Sequence, residues 1–249
     1  MTGDRGKQSS SAADDRVGRV TELWRYPVKS MLGQRHDTLA IEERGVVGDR
    51  LYAVRDGDGK FGSGKNTRRF RRIDGLFGFR ARYEDGVPVI TLPDGREVRG
   101  DDDGVHQHLQ RALNRSDVSL SRERSVSHFD QAPLHVVTDA SLAWLAAALP
   151  GTDIDARRLR PNLVVATGCA PGPVEDAWVG RTARIGAEVI VNFTHGTERC
   201  VMVNNAQDDL TQDHRVLKAI ADANDLKLGV YATVLQSGSI SLADPLHFL

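Results

Sequence analysis

The chain has 249 residues, long enough for one large domain or for two interlocked subdomains with buried cores. Its 40% apolar and 27% charged residues are ordinary for a globular protein, and a net charge of −1 gives no overall attraction to nucleic acid. Residues 1–15 are small and polar and lack the apolar segment of a signal peptide, so they predict a disordered tail. No other run approaches the roughly 20 apolar residues that span a bilayer, and we expect a cytoplasmic protein without a membrane partner.

The first part of the chain, residues 16–121, is predicted to form a small β-barrel-like subdomain. Asp-Gly pairs such as Asp56-Gly57 and Asp94-Gly95, which favour hairpin turns, separate its apolar segments. One helical pattern interrupts them at 103–114, where apolar side chains share a face. The predicted strand segments are 20–30, 37–41, 51–60, 77–86 and 88–98.

The second part, residues 122–249, is also predicted to be rich in strands. Asp139 can cap a helix that Pro150-Gly151 stops, and a second amphipathic helix is predicted at 213–224. The expected fold is therefore a β-dominated α+β protein, in which the N-terminal barrel-like subdomain packs on a second β-barrel with a few helices. The predicted strand segments here are 163–166, 183–186, 188–193, 229–238 and 239–244.

Two cysteines, Cys169 and Cys200, are too few for a disulfide scaffold and are not spaced as CxxC. Burial is the usual state of a free cysteine, and we expect it for Cys169, which lies beside a Pro/Gly-rich turn. Cys200 follows Arg199 in a polar turn, where a guanidinium can favour the thiolate that attacks or binds soft metals. A structural and a functional Cys200 both stay open. The eight dispersed histidines have no zinc-finger spacing.

Basic residues crowd the loop around Gly62-Ser63-Gly64. Arginine forks and the free backbone N–H groups of glycine both favour an anion such as phosphate. A solvated surface loop is the alternative, and a nucleic-acid patch is disfavoured because aromatic residues do not alternate with the charges. The basic residues are Arg55, Lys60, Lys65, Arg68, Arg69, Arg71 and Arg72.

Three further places combine a cation or amide donor with a turn or strand end. Because proline fixes its local backbone, Arg160 and Asn162 are expected to project from a defined geometry on either side of Pro161. Taken singly, each place is more often a structural turn. The three are Lys29-Ser30 after Tyr26-Pro27-Val28, Gly48-Asp49-Arg50, and Arg160-Pro161-Asn162.

Together and in order, five motifs resemble the MOSC family, the molybdenum cofactor sulfurase C-terminal domain family with its N-terminal β-barrel domain. The resemblance extends over residues 19–249 and points to stand-alone bacterial members related to the mitochondrial amidoxime-reducing component. Five ordered motifs are far more specific than any one alone. They are WRYPVKSM (24–31), GVVGDRLYAV (45–54), LRPNLVV (159–165), EDAWVGRTARIG (175–186) and TERCVMVN (197–204).

The resemblance implies that the molybdenum cofactor, molybdopterin with its metal, lies in a cleft between the two subdomains. Cys200 matches the family's cysteine, a molybdenum ligand in reductases and a persulfide carrier in sulfur transfer, so it is the implied catalytic and metal-binding residue. The family also carries an association with pyridoxal phosphate. The implied cofactor contacts are Lys29, Ser30 and Arg50 near the phosphate, Arg160 and Asn162 along the pterin, and Thr138 and Ser141 in the VTDASL segment.

The chain departs from the family pattern in two respects. It ends at Leu249, shortly after the last predicted strand, so we expect no C-terminal ferredoxin domain. Electrons would then come from a separate ferredoxin- or flavin-type donor protein. The segment KNTRRFRR (65–72) replaces a TARQ-like segment of the reductases, and substrate access is expected to differ.

The resemblance leads to three possible functions. The first, which we favour, is a molybdenum-dependent oxidoreductase that reduces small N-oxygenated compounds, such as hydroxylamines, amidoximes or N-oxides, at a metal bound by Cys200. The second is a sulfur carrier that uses a Cys200 persulfide, with the basic loop holding a phosphorylated acceptor. The third is a binding module that stores or delivers the cofactor without turnover.

Overall fold

A computed structural model of the chain describes residues 16–249. The expected disordered tail, residues 1–15, lies outside the described residues. Strands make up most of the regular structure, as predicted. They are β1 (Arg16–Arg25), β2 (Gln34–His36), β3 (Thr38–Glu42), β4 (Gly45–Val46), β5 (Tyr52–Arg55), β6 (Phe61–Ser63), β7 (Phe70–Arg72), β8 (Arg80–Glu84), β9 (Val87–Thr91), β10 (Glu97–Arg99), β11 (Ser119–Arg122), β12 (Leu134–Thr138), β13 (Leu163–Ala166), β14 (Thr182–Ile185), β15 (Val189–Glu198), β16 (Lys227–Gln236), β17 (Gly238–Ser241) and β18 (Pro245–Phe248).

Four α-helices and three short 3-10 turns connect these strands within the described residues. The predicted cap of α2 was wrong by one residue, because the Thr138 hydroxyl, not Asp139, accepts a hydrogen bond from the backbone N of Ser141 at 3.1 Å. The helices are α1 (Val105–Leu113), α2 (Asp139–Ala148), α3 (Ala156–Leu159) and α4 (Arg215–Asn224), and the 3-10 turns are Leu76–Gly78, Val174–Trp178 and Val201–Asn204.

Seven strands close into a barrel in the order β13-β12-β16-β15-β14-β18-β1, with β1 pairing back to β13. Only β12 and β13 are parallel in this barrel, and α2 and α3 form the crossover between them. Along β15 the side chains of Val189, Val191 and Phe193 are fully buried, which is the period-two pattern of a strand facing a core. The predicted β-dominated α+β fold is confirmed.

The strands of the first part form smaller sheets around a second core. Their orders are β10-β9-β8 and β11-β5-β6-β7, and Asp85-Gly86 makes the predicted hairpin turn between β8 and β9, with φ of 50° and 78°. Phe79, Ile90 and Leu109 are fully buried between these sheets and α1.

The two parts of the chain exchange strands. β1, from the first part, completes the seven-stranded barrel, and β17, from the second part, pairs with β3, which in turn pairs with β4. The boundary between residues 121 and 122 stays a prediction, but this exchange ties the two parts together. Within residues 16–249, none of the helices is both long enough and apolar enough to cross a membrane.

A third core cluster anchors two loops, the one that follows α3 and the one that contains the 3-10 turn Val201–Asn204. Leu159 at the end of α3 and Val203 in the 3-10 turn pack together with Val216 and Ile220 of α4. Each is almost fully buried. The backbone of the residues next to Leu159 and Val203 in sequence is therefore held in place.

Candidate functional site

A cavity of about 210 Å³ is lined by residues from both parts of the chain, and we call it the Cys200 cavity. Its wall is built from loops and strand ends rather than from one element. Six of the eight residues that the resemblance implied are in this wall: Lys29, Ser30, Arg50, Arg160, Asn162 and Cys200.

Cationic side chains outnumber carboxylates in the wall of the Cys200 cavity. The whole chain carries a net charge of −1, so this excess belongs to the cavity and not to the protein's overall composition. Such a wall attracts an anionic ligand. The cations are Lys29, Arg50, Lys65, Arg158, Arg160 and Arg199, and the carboxylates are Asp130 and Glu198.

Lys29 is a buried cation with one acidic partner. Its Nζ donates to Oδ1 of Asp130 at 2.8 Å and lies 5.1 Å from the centre of the Phe70 ring. Burial lowers the pKa of Lys29, and Asp130 opposes that effect. The neighbouring cations, Lys29 above all, hold the pKa of Asp130, whose side chain is half exposed, well below its usual range. Beside this pair, the Ser30 hydroxyl donates to the carbonyl oxygen of Gly62 at 3.0 Å.

The backbone and the guanidinium of Arg50 are both fixed in position by neighbouring residues. Its backbone is left-handed, with φ 50°, in the turn that follows Gly48. The guanidinium pairs with the fully buried carboxylate of Asp49, and its Nη2 donates to the carbonyl oxygen of Arg160 at 3.0 Å. Burial opposes the charge, but Asp49 outweighs it and raises the pKa of Arg50. Arg50 is therefore a permanent cation in a fixed position.

Arg160 ends α3 with a left-handed backbone, φ 55°. Its guanidinium lies 4.2 Å from the centre of the Tyr26 ring and 5.3 Å from that of Phe77. Its Nη1 and Nη2 atoms are buried and have no hydrogen-bond partner among the described residues. Burial lowers the pKa of Arg160 to about 10. Because buried donors are normally satisfied, these two nitrogens indicate a ligand with acceptor atoms.

His135 joins Arg160 to Arg199. Nη1 of Arg199 donates to Nε2 of His135 at 3.3 Å, so the ring proton is on Nδ1, which donates to the carbonyl oxygen of Arg160 at 3.3 Å. Burial, and then the charge of Arg199, holds the pKa of His135 well below its usual range, which keeps the ring neutral. Nε of Arg199 is another buried nitrogen without a partner among the described residues.

Cys200 is a partly exposed free thiol at the start of the 3-10 turn Val201–Asn204. Arg158 holds this turn against the rest of the protein, because its buried guanidinium donates to the carbonyl oxygens of Thr211 at 2.8 Å and of Val203 at 3.5 Å. The thiol therefore faces the cavity from anchored backbone. The other cysteine, Cys169, is exposed, so its predicted burial was wrong. It follows Gly168, where an added Cβ would meet no atom within 4 Å.

Asn162 fixes backbone with its side-chain amide. Its Oδ1 accepts a hydrogen bond from the backbone N of His135 at 3.1 Å, and its Nδ2 donates to the carbonyl oxygen of Trp24 at 3.3 Å. The amide thus links the end of β1 to the start of β12, where His135 lines the cavity. One N–H of the amide is left for a ligand.

Thr138 and Ser141 are not in the wall of the Cys200 cavity. Both hydroxyls donate to the buried carboxylate of Glu175, from Thr138 at 2.6 Å and from Ser141 at 2.7 Å. Burial raises the pKa of Glu175 even though these hydrogen bonds oppose the shift. In this structure the two residues join the start of α2 to the turn Val174–Trp178, and their hydroxyls are occupied.

The basic loop divides between the cavity and the surface. Of its cations, Lys65 lines the cavity and lies 5.2 Å from the centre of the Phe70 ring. Arg71 is instead paired with Asp56 at 2.5 Å. The loop as a whole is therefore not a free anion site, and Lys65 is its contribution to the cavity.

Three wall residues, Asp130, His135 and Tyr231, were missed by the sequence analysis. The Tyr231 ring lies between two histidines, 5.4 Å from His135 and 5.2 Å from His195 between ring centres, and burial raises its pKa to about 12. None of these residues is in a motif that marked the family. For Asp130, the available signal was the mostly polar segment 127–131 ahead of β12.

Two family models match the chain. The model of the MOSC domain matches residues 123–247, and the model of the MOSC N-terminal beta barrel domain matches residues 17–150. The chain belongs to the MOSC domain family. The resemblance seen in the five sequence motifs is confirmed.

This MOSC protein has named relatives over nearly its full length. It is 24% identical to mitochondrial amidoxime reducing component 2 of Bos taurus and 25% identical to that of Homo sapiens, in both cases over 93% of this chain and 83% of the relative. Among solved structures it is similar to the YUAD protein from Bacillus subtilis, with a TM-score of 0.49 and 11% identity over 92% of this chain and 93% of that one.

Proposed function

We propose that this MOSC protein binds the molybdenum cofactor in the Cys200 cavity and reduces N-oxygenated compounds there. The observation that carries the proposal is a free thiol in the same cavity as the buried, unpartnered guanidinium nitrogens of Arg160 and Arg199. These nitrogens fit a ligand rich in oxygen and ring-nitrogen acceptors. The phosphate and the pterin of molybdopterin offer such acceptors.

The cavity residues suit the two polar parts of this cofactor. Two fixed cations suit a phosphate, and a planar guanidinium or amide suits a pterin edge. We leave out Thr138 and Ser141, because neither lines the Cys200 cavity and Glu175 occupies their hydroxyls. The residues we assign to the phosphate are Lys29, Ser30 and Arg50, and those we assign to the pterin are Arg160 and Asn162.

Cys200 is the residue we assign to the metal. Among residues 16–249, no group of three or more His, Cys, Asp or Glu side chains is placed to hold a metal ion. A cofactor that brings sulfur ligands of its own needs only one thiolate from the protein, and sulfur is a ligand that suits soft transition metals. A single cysteine on an anchored turn meets that need.

A bound molybdenum cofactor would supply two-electron removal of an oxygen atom from nitrogen. With a hydroxylamine as substrate, the overall reaction breaks one N–O bond, consumes two electrons and two protons, and releases an amine and water. The name of the relatives, amidoxime reducing components, supports this substrate class. We propose that the electrons come from a separate ferredoxin- or flavin-type donor protein in the cytoplasm.

The test compares two cysteine variants of protein made in a host that synthesises the cofactor. Molybdenum content and reduction of benzamidoxime, driven by a chemical reductant, are measured for wild type, Cys200→Ala and the matched control Cys169→Ala. We expect wild type and Cys169→Ala to carry about one molybdenum per chain and to be active, and Cys200→Ala to lose the activity.

Other outcomes would favour the alternative functions. A fully active Cys200→Ala variant contradicts the proposed role of the thiol. A wild type without molybdenum, but with a sulfur adduct on Cys200 by mass spectrometry after incubation with a sulfur donor, indicates a sulfur carrier. A wild type that binds the cofactor and reduces neither hydroxylamine nor benzamidoxime indicates a binding module.

A further inference from the structure

A second cavity of about 230 Å³ adjoins the Cys200 cavity. Ser63 and Met202 line both of them. The guanidinium of Arg160, in the wall of the Cys200 cavity, lies 5.3 Å from the centre of the Phe77 ring, which lines the second cavity. The two cavities are therefore separated by one layer of side chains.

Met202 is the main side chain in that layer. It lies two residues after Cys200 in the same 3-10 turn, and its thioether packs so closely on Gly64 that a Cβ at position 64 would come within 2.4 Å of Sδ. The Nδ2 of Asn205 lies 3.9 Å from the same sulfur. An unbranched methionine is a flexible side chain that can fill gaps of different shape. It can therefore yield to a molecule that reaches from one cavity into the other.

The charges of the two cavities differ. The wall of the Cys200 cavity has a large cationic excess, as described above. The wall of the second cavity has one cation, Arg72, and one carboxylate, Asp74, and they pair with each other at 2.8 Å. An anionic cofactor is drawn to the first cavity, whereas the second offers no net charge and suits a neutral compound.

The second cavity has the size and walls for a small organic molecule. One wall is the glycine-rich segment 75–78, next to the largely buried side chains of Ile73, Leu76 and Phe77. Most of the exposed lining is polar and includes the amide of Gln212. The volume is enough for one aromatic ring, whose edge and polar substituents would meet these polar groups.

We propose that the second cavity binds the organic part of the N-oxygenated substrate, and that Met202 sets how large a group can reach the Cys200 cavity. This inference rests on the proposed reductase function. It places the N–O group on the Cys200 side of Met202 and the carbon skeleton on the other side. Hydroxylamine, which has no carbon skeleton, would not need the second cavity, whereas benzamidoxime would.

A binding experiment tests the location directly. The chain has three methionines, so the ¹³C-labelled methyl groups give few resonances, and a Met202→Leu variant assigns the one from Met202. Met31 is a fully buried core residue and serves as the internal control. We expect benzamidoxime to leave the Met31 resonance in place and to shift that of Met202 more than hydroxylamine does at the same concentration, because hydroxylamine meets Met202 only from the Cys200 cavity.

A kinetic experiment tests the function of the cavity. Ala206 is exposed and lines only the second cavity, so Ala206→Phe is designed to fill that cavity without reaching the first. We expect kcat/KM for benzamidoxime to fall at least about tenfold, with kcat/KM for hydroxylamine unchanged. Ala147→Phe, at an exposed position of α2, is the matched control and should change neither value.

The outcomes separate this inference from the proposed function. Equal kcat/KM changes for both compounds in Ala206→Phe, or no change for either, would overturn the inference while the reductase function stands. An unmoved Met202 resonance at saturating benzamidoxime would also overturn it. If the wild type reduces neither compound, the proposed function fails and this inference fails with it.

Discussion

Arg50 and Arg160 both line the Cys200 cavity and have the same local structure. Both have left-handed backbones, with φ of 50° and 55°, and both guanidinium groups lie against the Tyr26 ring, at 4.6 and 4.2 Å from its centre. The carbonyl oxygen of each accepts a hydrogen bond from Nδ1 of a buried histidine, His128 for Arg50 at 3.1 Å and His135 for Arg160 at 3.3 Å.

The two arginines differ in their charge partners. Asp49 neutralises Arg50, while Nη1 and Nη2 of Arg160 have no partner among the described residues. As a result the pKa of Arg50 is raised and that of Arg160 is lowered to about 10. The same scaffold thus gives Arg50 a charge that Asp49 compensates, and leaves two nitrogens of Arg160 without a partner among the described residues. Charge compensation, and not backbone conformation, distinguishes the two roles.

The largest expected effect is the loss of stability in Arg50→Met. Removing this guanidinium leaves the fully buried Asp49 carboxylate without its cation, and breaking such a pair costs about 3–5 kcal/mol. The measurement is the free energy of unfolding from urea denaturation of the cofactor-free protein. The double variant Asp49→Asn/Arg50→Met should recover part of the loss, because no unpaired charge remains. A double variant no more stable than Arg50→Met would show that the unpaired charge is not the cause.

A smaller effect is expected from His128 as the pH falls. Burial lowers its pKa to about 4, whereas in the unfolded chain it is near 6.5, so the folded state keeps the ring neutral while the unfolded state takes up a proton. The stability from His128 is present above pH 6.5 and is lost as the pH falls toward 4, by up to about 3 kcal/mol. His128→Asn keeps a donor for the Arg50 carbonyl and does not titrate. Wild type should therefore lose more stability than His128→Asn over this window, and parallel pH profiles would contradict the assignment.

The sequence predicted much of this site because the motifs combine local turns with side chains that bind ligands. Lys29, Arg50 and Arg160 each follow or form a turn that proline or glycine makes recognisable, and the structure brings them together. The partners that decide the roles of these side chains are distant in the sequence. Asp130, the partner of Lys29, is 101 residues away in sequence. No pattern of spacing indicates such a pairing.

Long-range pairings that spacing does not indicate also decide the role of Thr138 and the closure of the barrel. The Thr138 hydroxyl is occupied by Glu175, which lies 37 residues later in a different motif, so the sequence could not show that it was unavailable. Strand patterns predicted most of the strands, but not that β1 would close the barrel against β13, where Thr21 meets Val164 across 143 residues. Long-range pairing comes from the packing of the whole chain.

The smallest expected effect on stability is that of Arg160→Met. This variant tests directly whether charge compensation distinguishes Arg160 from Arg50. Methionine removes a buried guanidinium with two unpaired nitrogens, which is favourable, and it loses the contact with Tyr26, worth about 0.5–2 kcal/mol. The two terms oppose each other, so the free energy of unfolding of the cofactor-free protein should change by no more than about 1 kcal/mol. Inorganic phosphate is not joined to a pterin, so in excess it can also reach the two unpartnered nitrogens of Arg160. It should therefore raise the melting temperature of the wild type more than that of Arg160→Met.

Arg158→Met is the matched control, because Arg158 is also buried but donates to three backbone carbonyls, those of Asp153, Val203 and Thr211. Its loss leaves acceptors unsatisfied and should destabilise the protein by about 2–3 kcal/mol, yet phosphate should still stabilise the variant. If Arg160→Met instead destabilises the protein as much as Arg50→Met and responds fully to phosphate, then Arg160 belongs to the fold in the same sense as Arg50. Its two free nitrogens would then say nothing about a ligand, and the distinction between the two arginines would have to be abandoned.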